Sequence, residues 1–290
     1  MKVVVFGGAG FLGSHVCDIL SEQGHEVVIF DAKKSPYRQK RQQEIIGDVL
    51  DADKVKKALK GVDYVYHFAG LADLDDAQTK PMDTAVQNIN GTINILEACK
   101  QEGIKRFLYA STVYVYSEKG GFYRCSKQAA ESYIEEYQKS YGLNYTILRY
   151  GTLYGPRANE HNSIYRYLSQ ALTAKTIECS SSGEEVREYI YVRDAAELSV
   201  QVLDEKHQNK HIIITGHHPM KFKDFLNMIN EILGGQLKIK YNIEPADSSH
   251  YNITPYSFRT KIGYKLTSTS YLDMGQGILE CIYDINSRSE

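Results

Sequence analysis

Two rhythms of apolar and polar positions alternate along the first half of the chain. Short β-branched or aromatic runs at residues 3–6, 26–30, 44–46, 64–68, 106–109 and 145–148 read as strands. Between them, residues 11–22, 52–59, 84–101 and 125–141 carry apolar side chains at the spacing of an amphipathic helix. Gly103 follows the third of these helical stretches as a C-terminal glycine should. Strand and helix in regular alternation predict a parallel sheet covered on both faces, with right-handed crossovers. Beyond about residue 150 the rhythm changes. Residues 151–182 read as loop and helix, 187–192 and 211–215 as strands, and 222–233 as a helix ended by Gly234 and Gly235. The expectation is an α/β fold, doubly wound, with a smaller lobe that is discontinuous in sequence. No linker, repeat or low-complexity segment stands out.

The junction of the first strand and helix carries the first chemistry. Glycines at 7, 10 and 13 form G-x-x-G-x-x-G. The first permits the tight turn, the second lets a pyrophosphate approach the backbone, and the third lets the helix pack close to the sheet. The helix start then offers free N–H groups and a positive dipole to a diphosphate. A flexible glycine-rich turn would also show three glycines. It would not account for the second strand ending in Asp31, 18 residues after Gly13. There a carboxylate can hold an adenosine ribose and repel a 2′-phosphate.

Composition narrows the class. The chain has 290 residues, enough for a full core, with 42% hydrophobic and 24% charged positions. A net charge of −2 without a basic stripe argues against nucleic acid as a partner. The odd number of cysteines, five, without a C-x-x-C pair fits a reduced, cytoplasmic setting. No stretch approaches the roughly 20 apolar residues of a membrane span, and the N-terminal apolar run reads as a strand rather than a signal peptide. His217 and His218 lack further ligands at zinc-like spacing, so no metal is expected.

The second chemical signal is Tyr123-Arg-Cys-Ser-Lys127, a Y-x-x-x-K pattern. On a helix its ends lie one turn apart on one face. A phenol has a reference pKa of about 10. A neighbouring ammonium favours its phenolate and lowers that value. Alone, the pattern also fits a surface Tyr and Lys. Upstream, however, Ser111 and Thr112 place hydroxyls at a strand end, where open α/β sheets bind ligands. Hydroxyl, Tyr/Lys pair and dinucleotide turn together make a hydride-transfer site.

With these motifs in order from Lys2 to about Asp194, the chain resembles the extended short-chain dehydrogenase/reductases of the NAD-dependent sugar epimerase/dehydratase family, the UDP-glucose 4-epimerases in particular. The resemblance implies a Rossmann-type NAD domain over residues 1–151, with 184–216 contributing to it. It implies a substrate-binding lobe from 152–183 and 217–290. Gly7, Gly10, Phe11, Leu12 and Gly13 match the family's cofactor loop, and Asp31 its NAD-selecting acid. Asp48 and Val49 resemble the segment beside the adenine; Phe68, Ala69 and Gly70 resemble the strand-4 motif after His67; Asn88 resembles the following helix. Tyr150 and Thr152 fall in the segment running from nicotinamide to substrate, which ends at Arg157. Arg187 resembles an Arg that contacts the sugar nucleotide's diphosphate. In the implied mechanism Tyr123 takes a proton from a sugar hydroxyl, usually at C4. Thr112 hydrogen-bonds the same oxygen, Lys127 holds the cofactor ribose, and a transient 4-keto sugar is reduced on its other face. Relatives pair as homodimers through the helices expected at 84–101 and 125–141.

Departures from the pattern are also informative. The carboxylates that dehydratases and decarboxylases place after the Thr are replaced by Val113 and Tyr114. An Asn usual after Arg149 is Thr152, and a second diphosphate-binding Arg is not evident in the C-terminal lobe, where residues 245–251 offer only His250. Epimerisation of a nucleotide-diphosphate sugar is the favoured reading. A nucleotide-sugar 4-dehydrogenase or keto-sugar reductase is the runner-up, and a non-catalytic NAD-binding regulator the reading from a different class. A solvated acidic loop at Asp73, Asp75 and Asp76, and a buried, satisfied His67, complete the expectations.

Overall fold

The computed structural model describes residues 1–242 and 263–288. The elements run β1 (Lys2–Phe6), α1 (Phe11–Glu22), β2 (Glu26–Asp31), β3 (Gln43–Ile46), α2 (Ala52–Ala58), β4 (Tyr64–His67), α3 (Leu74–Thr79), α4 (Pro81–Ala85), α5 (Gly91–Glu102), β5 (Arg106–Thr112) and α6 (Gly121–Tyr141). There follow β6 (Tyr145–Tyr150), β7 (Thr152–Tyr154), α7 (Ser163–Ala174), β8 (Thr176–Cys179), β9 (Val186–Tyr191), α8 (Val192–Gln201), β10 (Lys210–Ile214), β11 (Pro219–Lys221), α9 (Phe222–Ile232), β12 (Lys238–Tyr241), β13 (Gly263–Lys265) and α10 (Met274–Ser287).

Eight strands form one sheet in the order β13-β10-β6-β5-β4-β1-β2-β3, and every pair is parallel. A parallel sheet of this kind is covered on both faces, so its strands read as unbroken apolar runs. Alternation along each strand then divides the core. Val3, Val5, Val27 and Ile29 join one cluster with α1 and α8, while Val4, Phe6, Val28 and Phe30 join the other with α2, α5 and α6. The four residues Val3 to Phe6 have no exposed surface at all. Removing a Val or Phe of that kind from water contributes about 1.5–3 kcal/mol. The chain runs outward from β1 to β3, then crosses back to β4 beside β1. That reversal opens a crevice at the strand C-termini, the place where such sheets bind ligands.

Two small sheets complete the described fold. β7 pairs parallel to β9, and β9 antiparallel to β11; β8 pairs parallel to β12. β10 and β13 both join the large sheet. The short strands β7, β8, β11 and β12 and the helices α3, α8 and α10 have no marked bounds in the sequence pattern, while α7 falls in the stretch 151–182 read as loop and helix.

Two expectations are corrected. The helix read over 84–101 is not continuous: α4 leads into a π-helical turn at Val86–Asn90 before α5 begins. The widened turn carries Asn88, whose amide bonds both Leu71 N–H and Leu71 C=O, at 2.7 and 2.9 Å. The acidic run is not a solvated loop. Asp73 caps α3, accepting from the N–H groups of Asp75 and Asp76, and its other oxygen meets Arg166 at 3.1 Å.

Candidate active site

The crevice is a cleft of about 530 Å³. Its floor is the turn after β1. Gly7 takes a left-handed φ of +79°, and a Cβ there would lie 2.5 Å from Ala69 N. A Cβ on Gly13 would lie 2.2 Å from Gly7 O, so only glycine lets α1 start this close to the turn. Gly10, the residue before α1, supplies no side-chain cap, and the first turn holds no acid. The start of α1, with Phe11 and Leu12, therefore faces the cleft with its positive end uncovered. Gly13→Ala is expected to weaken NAD binding at least about tenfold and to cost about 1–3 kcal/mol of stability. Calorimetric titration and thermal melting check both effects.

Asp31 ends β2 beside this turn. One carboxylate oxygen accepts from Ala9 N–H at 3.0 Å and the other from Lys33 N–H at 3.1 Å. The acid is thus fixed to the phosphate-binding turn itself. Phe68 and Gly70, after β4, form the adjoining wall, while Ala69 lies against Gly7. Asn88 holds this segment from behind rather than lining the cleft, and it also donates to Ser126 Oγ at 2.9 Å. Asp48 is exposed and accepts from Leu50 N–H; Val49 is buried, its carbonyl taken by Asn94.

The reactive set sits at the other end. Thr112 closes β5, and Tyr123 and Lys127 project from α6, all three lining the cleft together with Tyr150 of β6. The Thr112 hydroxyl lies close enough to the Tyr123 phenol to favour its charged form slightly. Lys127 is 5% exposed; its Nζ donates to Ala110 O at 2.9 Å and lies 5.8 Å from the centre of the Tyr123 ring. Burial pushes the Tyr123 phenol up to about 12, against a smaller lowering by Thr112. Burial lowers the Lys127 ammonium to about 8, against a smaller raising by Glu131. The lowering of Tyr123 expected from its lysine is absent in the protein alone: burial sets the direction, because desolvation disfavours the phenolate as it does the ammonium.

His67 is buried and neutral. Nε2 meets Thr92 Oγ1 at 3.0 Å, Nδ1 has no partner among the described residues, and burial lowers the ring to about 3.

The remaining site candidates lie apart from this group. Thr152 opens β7 and is not in the cleft wall. Arg157 pairs with Asp18 of α1 at 2.8 Å and stacks 4.7 Å over Tyr37. Arg187 is buried, 3.3 Å from Glu185 and over the Phe222 ring. His250 falls outside the described residues. Conversely, the cleft is also lined by Asp73 and Asp76, read from the sequence only as a solvated loop, and by Asn159, His161 and Asn162, which carry no sequence signal. Asp73 pairs with Arg166, and Asp76 lies 3.5 Å from His161, so these contacts bring two distant segments together. No local spacing announces such pairs. Among the described residues no group of three or more potential ligands is placed to hold a metal. No helix there is long and apolar enough to cross a membrane.

Comparison with known proteins agrees with this geometry. Residues 3–215 match the model of the NAD dependent epimerase/dehydratase family. An uncharacterised UDP-glucose epimerase of Bacillus subtilis is 28% identical over 270 residues, covering 83% of this chain and 85% of its own. A UDP-N-acetyl-alpha-D-glucosaminuronate decarboxylase of Bacillus cytotoxicus is 28% identical over 268 residues, covering 82% of each. The UDP-glucose 4-epimerase of Thermus thermophilus, solved with NAD, superposes with a TM-score of 0.83 at 25% identity over 99% of both chains. The chain belongs to the NAD dependent epimerase/dehydratase family.

Proposed function

We propose that this protein is an NAD-dependent epimerase of a nucleotide-diphosphate sugar, acting at C4 through a transient 4-keto sugar. The observation that carries the reading is the meeting of Thr112, Tyr123 and Lys127 in one cleft with the glycine turn, with no carboxylate following Thr112. Val113 there is buried and Tyr114 half-buried. Water elimination needs a positioned acid and base, which these two residues do not supply. Likeness to a UDP-glucose epimerase and to a UDP-glucose 4-epimerase supports the same choice.

The residues present fit NAD. The glycine cradle leaves room that any Cβ would fill, the start of α1 suits a diphosphate, and Asp31 suits an unsubstituted ribose. When bound, NAD supplies the hydride acceptor at the sugar carbon, and its oxidised ring adds a positive charge that favours phenolate. Tyr123 then takes the proton from the sugar O4 and later returns it. Thr112 donates to the same oxygen, and Lys127 keeps a positive charge beside the phenol. Gly7, Gly10, Phe11, Leu12, Gly13, Phe68 and Gly70 contribute the cofactor wall, and Tyr150 its far end. The substrate lobe of residues 152–183 and 217–290, apart from β13 in the large sheet, with Thr152, Arg157, Arg187 and His250, belongs to the same proposal, as do a cytoplasmic setting and a homodimer through α5 and α6. Tyr133 and Tyr141, exposed on α6, fit such a face.

NAD is expected to bind at least about tenfold more tightly than NADP by titration calorimetry, because Asp31 repels a 2′-phosphate. Tighter NADP binding would instead implicate Lys33 and Lys34. The reaction itself is tested by NMR of the protein with NAD and a panel of UDP-, GDP-, dTDP- and CDP-sugars. The expected result is a new C4 epimer without accumulating NADH. A stable keto sugar with stoichiometric NADH would overturn epimerisation in favour of net dehydrogenation.

A further inference from the structure

The proposed mechanism leaves one ionisable residue on the reactive face of α6 unused. Glu131 stands one turn beyond Lys127, as Lys127 stands one turn beyond Tyr123. Both oxygens of its carboxylate are engaged. Oε1 accepts from Ser111 Oγ at 2.5 Å and from Arg149 Nε at 3.0 Å, and Oε2 accepts from Arg149 Nη2 at 2.6 Å. Both side chains of the pair are 1% exposed. Arg149 Nη1 donates to the Tyr116 hydroxyl, and the guanidinium lies 4.5 Å over that ring. These four residues bracket the reactive set. Ser111 precedes Thr112 in β5, Tyr116 ends the short 3-10 turn that follows Thr112, and Arg149 precedes Tyr150 in β6.

A buried ion pair is weak evidence of stabilisation, since desolvating two charges offsets most of their attraction. Apolar side chains of similar volume would hold β5, β6 and α6 together as well. The pair's placement answers a different need. We propose that Glu131 and Arg149 are positioning residues for the reaction: through Ser111 they fix the strand end that presents Thr112, and the Glu131 carboxylate keeps Lys127 an ammonium beside Tyr123. This rests on the reading of Thr112, Tyr123 and Lys127 given above.

The surroundings of Lys127 single out Glu131. His67 of β4 is held neutral by burial and lowered further by Lys127, so it offers no charge to the ammonium. Tyr109 of β5, with its ring 4.7 Å from Nζ, is pushed well above the ordinary tyrosine value by burial and stays a phenol. Tyr123 of α6 does the same in the protein alone. Arg149 of β6 is cationic and spent on Glu131 and Tyr116. Glu131 is thus the anion that opposes desolvation of the ammonium.

The test is an NMR titration of the intact chain carrying 13C-labelled lysine, with Lys127 assigned through Lys127→Arg. In Glu131→Gln, Lys127 is expected to titrate at least about half a pH unit lower than in wild type. The kcat for epimerisation should fall about tenfold or more with KM little changed, and Glu131→Asp should restore part of both. A folded Glu131→Gln with an unmoved Lys127 titration and an unmoved pH–rate profile overturns the proposal. Should that variant not fold, Ser111→Ala removes only the link to the strand end. A kcat loss of roughly threefold or more at unchanged KM is expected there, and full kcat overturns positioning. The titration needs no turnover. A wild type that converts no nucleotide sugar therefore defeats the epimerase reading, while an unmoved Lys127 defeats this one.

Discussion

Tyr123→Phe is expected to lower the rate of epimer interconversion about 10³-fold while leaving the fold and NAD affinity intact. The substitution removes one oxygen and nothing that packs. Tyr123 is half-buried two residues into α6, and its ring keeps its neighbours as Phe. Lost with the oxygen is the only group in the proposed set that can accept the sugar proton. Thr112 cannot take over, because an isolated hydroxyl is a far weaker base than a phenolate beside an ammonium. Exchange of the C4 configuration followed by NMR gives the rate, calorimetry gives the affinity, and circular dichroism gives the fold. Turnover within about tenfold of wild type would remove Tyr123 from proton transfer.

The large sheet was legible because its physics is local. Residues 3–6, 27–30 and 65–66 are apolar without interruption since both sheet faces are covered, and the turn glycines are needed whatever the rest of the chain does. The reactive triad was legible for the same reason: Tyr123 and Lys127 are spaced by one helical turn, and Thr112 closes a strand. What escaped depends on partners far along the chain. Asp73 caps α3 through its own neighbours, but it is tied to the far wall of the cleft by Arg166, 93 residues later. The π-helical turn carries Asn88 against Leu71, and nothing in the apolar pattern of 84–101 marks it. The short strands β7, β8, β11 and β12 pair with segments from other parts of the chain, so their runs of three or four residues carry little signal. Ser111 and Thr112 look equivalent as adjacent hydroxyls. The structure gives Ser111 to Glu131 and leaves Thr112 lining the cleft with Tyr123. The first assignment had one available clue, Glu131 four residues beyond Lys127 on the helix.

Lys127→Met is expected to abolish most turnover, about 10²-fold or more, and yet to raise stability at neutral pH. Burial holds the Lys127 ammonium at about 8, well below its ordinary value of 10.5. A separation of that size corresponds to roughly 3 kcal/mol of unfavourable charge burial below pH 8. Replacing the ammonium by a thioether of similar length removes this term. It also removes the bond to Ala110 O, which costs about 1 kcal/mol, so the net gain is about 1–2 kcal/mol, or roughly 2–4 °C in Tm for a chain of this size. The sign with pH follows from proton counting. Between pH 8 and 10.5 the unfolded chain holds a proton on Lys127 that the native state has shed, so wild-type stability rises with pH relative to the variant. The variant's advantage is therefore full below about pH 8, shrinks above it, and beyond about pH 10.5 has turned into a deficit of about 1 kcal/mol, the lost bond to Ala110 O. Denaturant midpoints of both proteins at pH 7 and near pH 10 measure it. A variant less stable than wild type at pH 7 would show that Lys127 supports the fold. A more stable, inactive variant would show that the site holds its charge at the expense of the fold, as a residue kept for chemistry does.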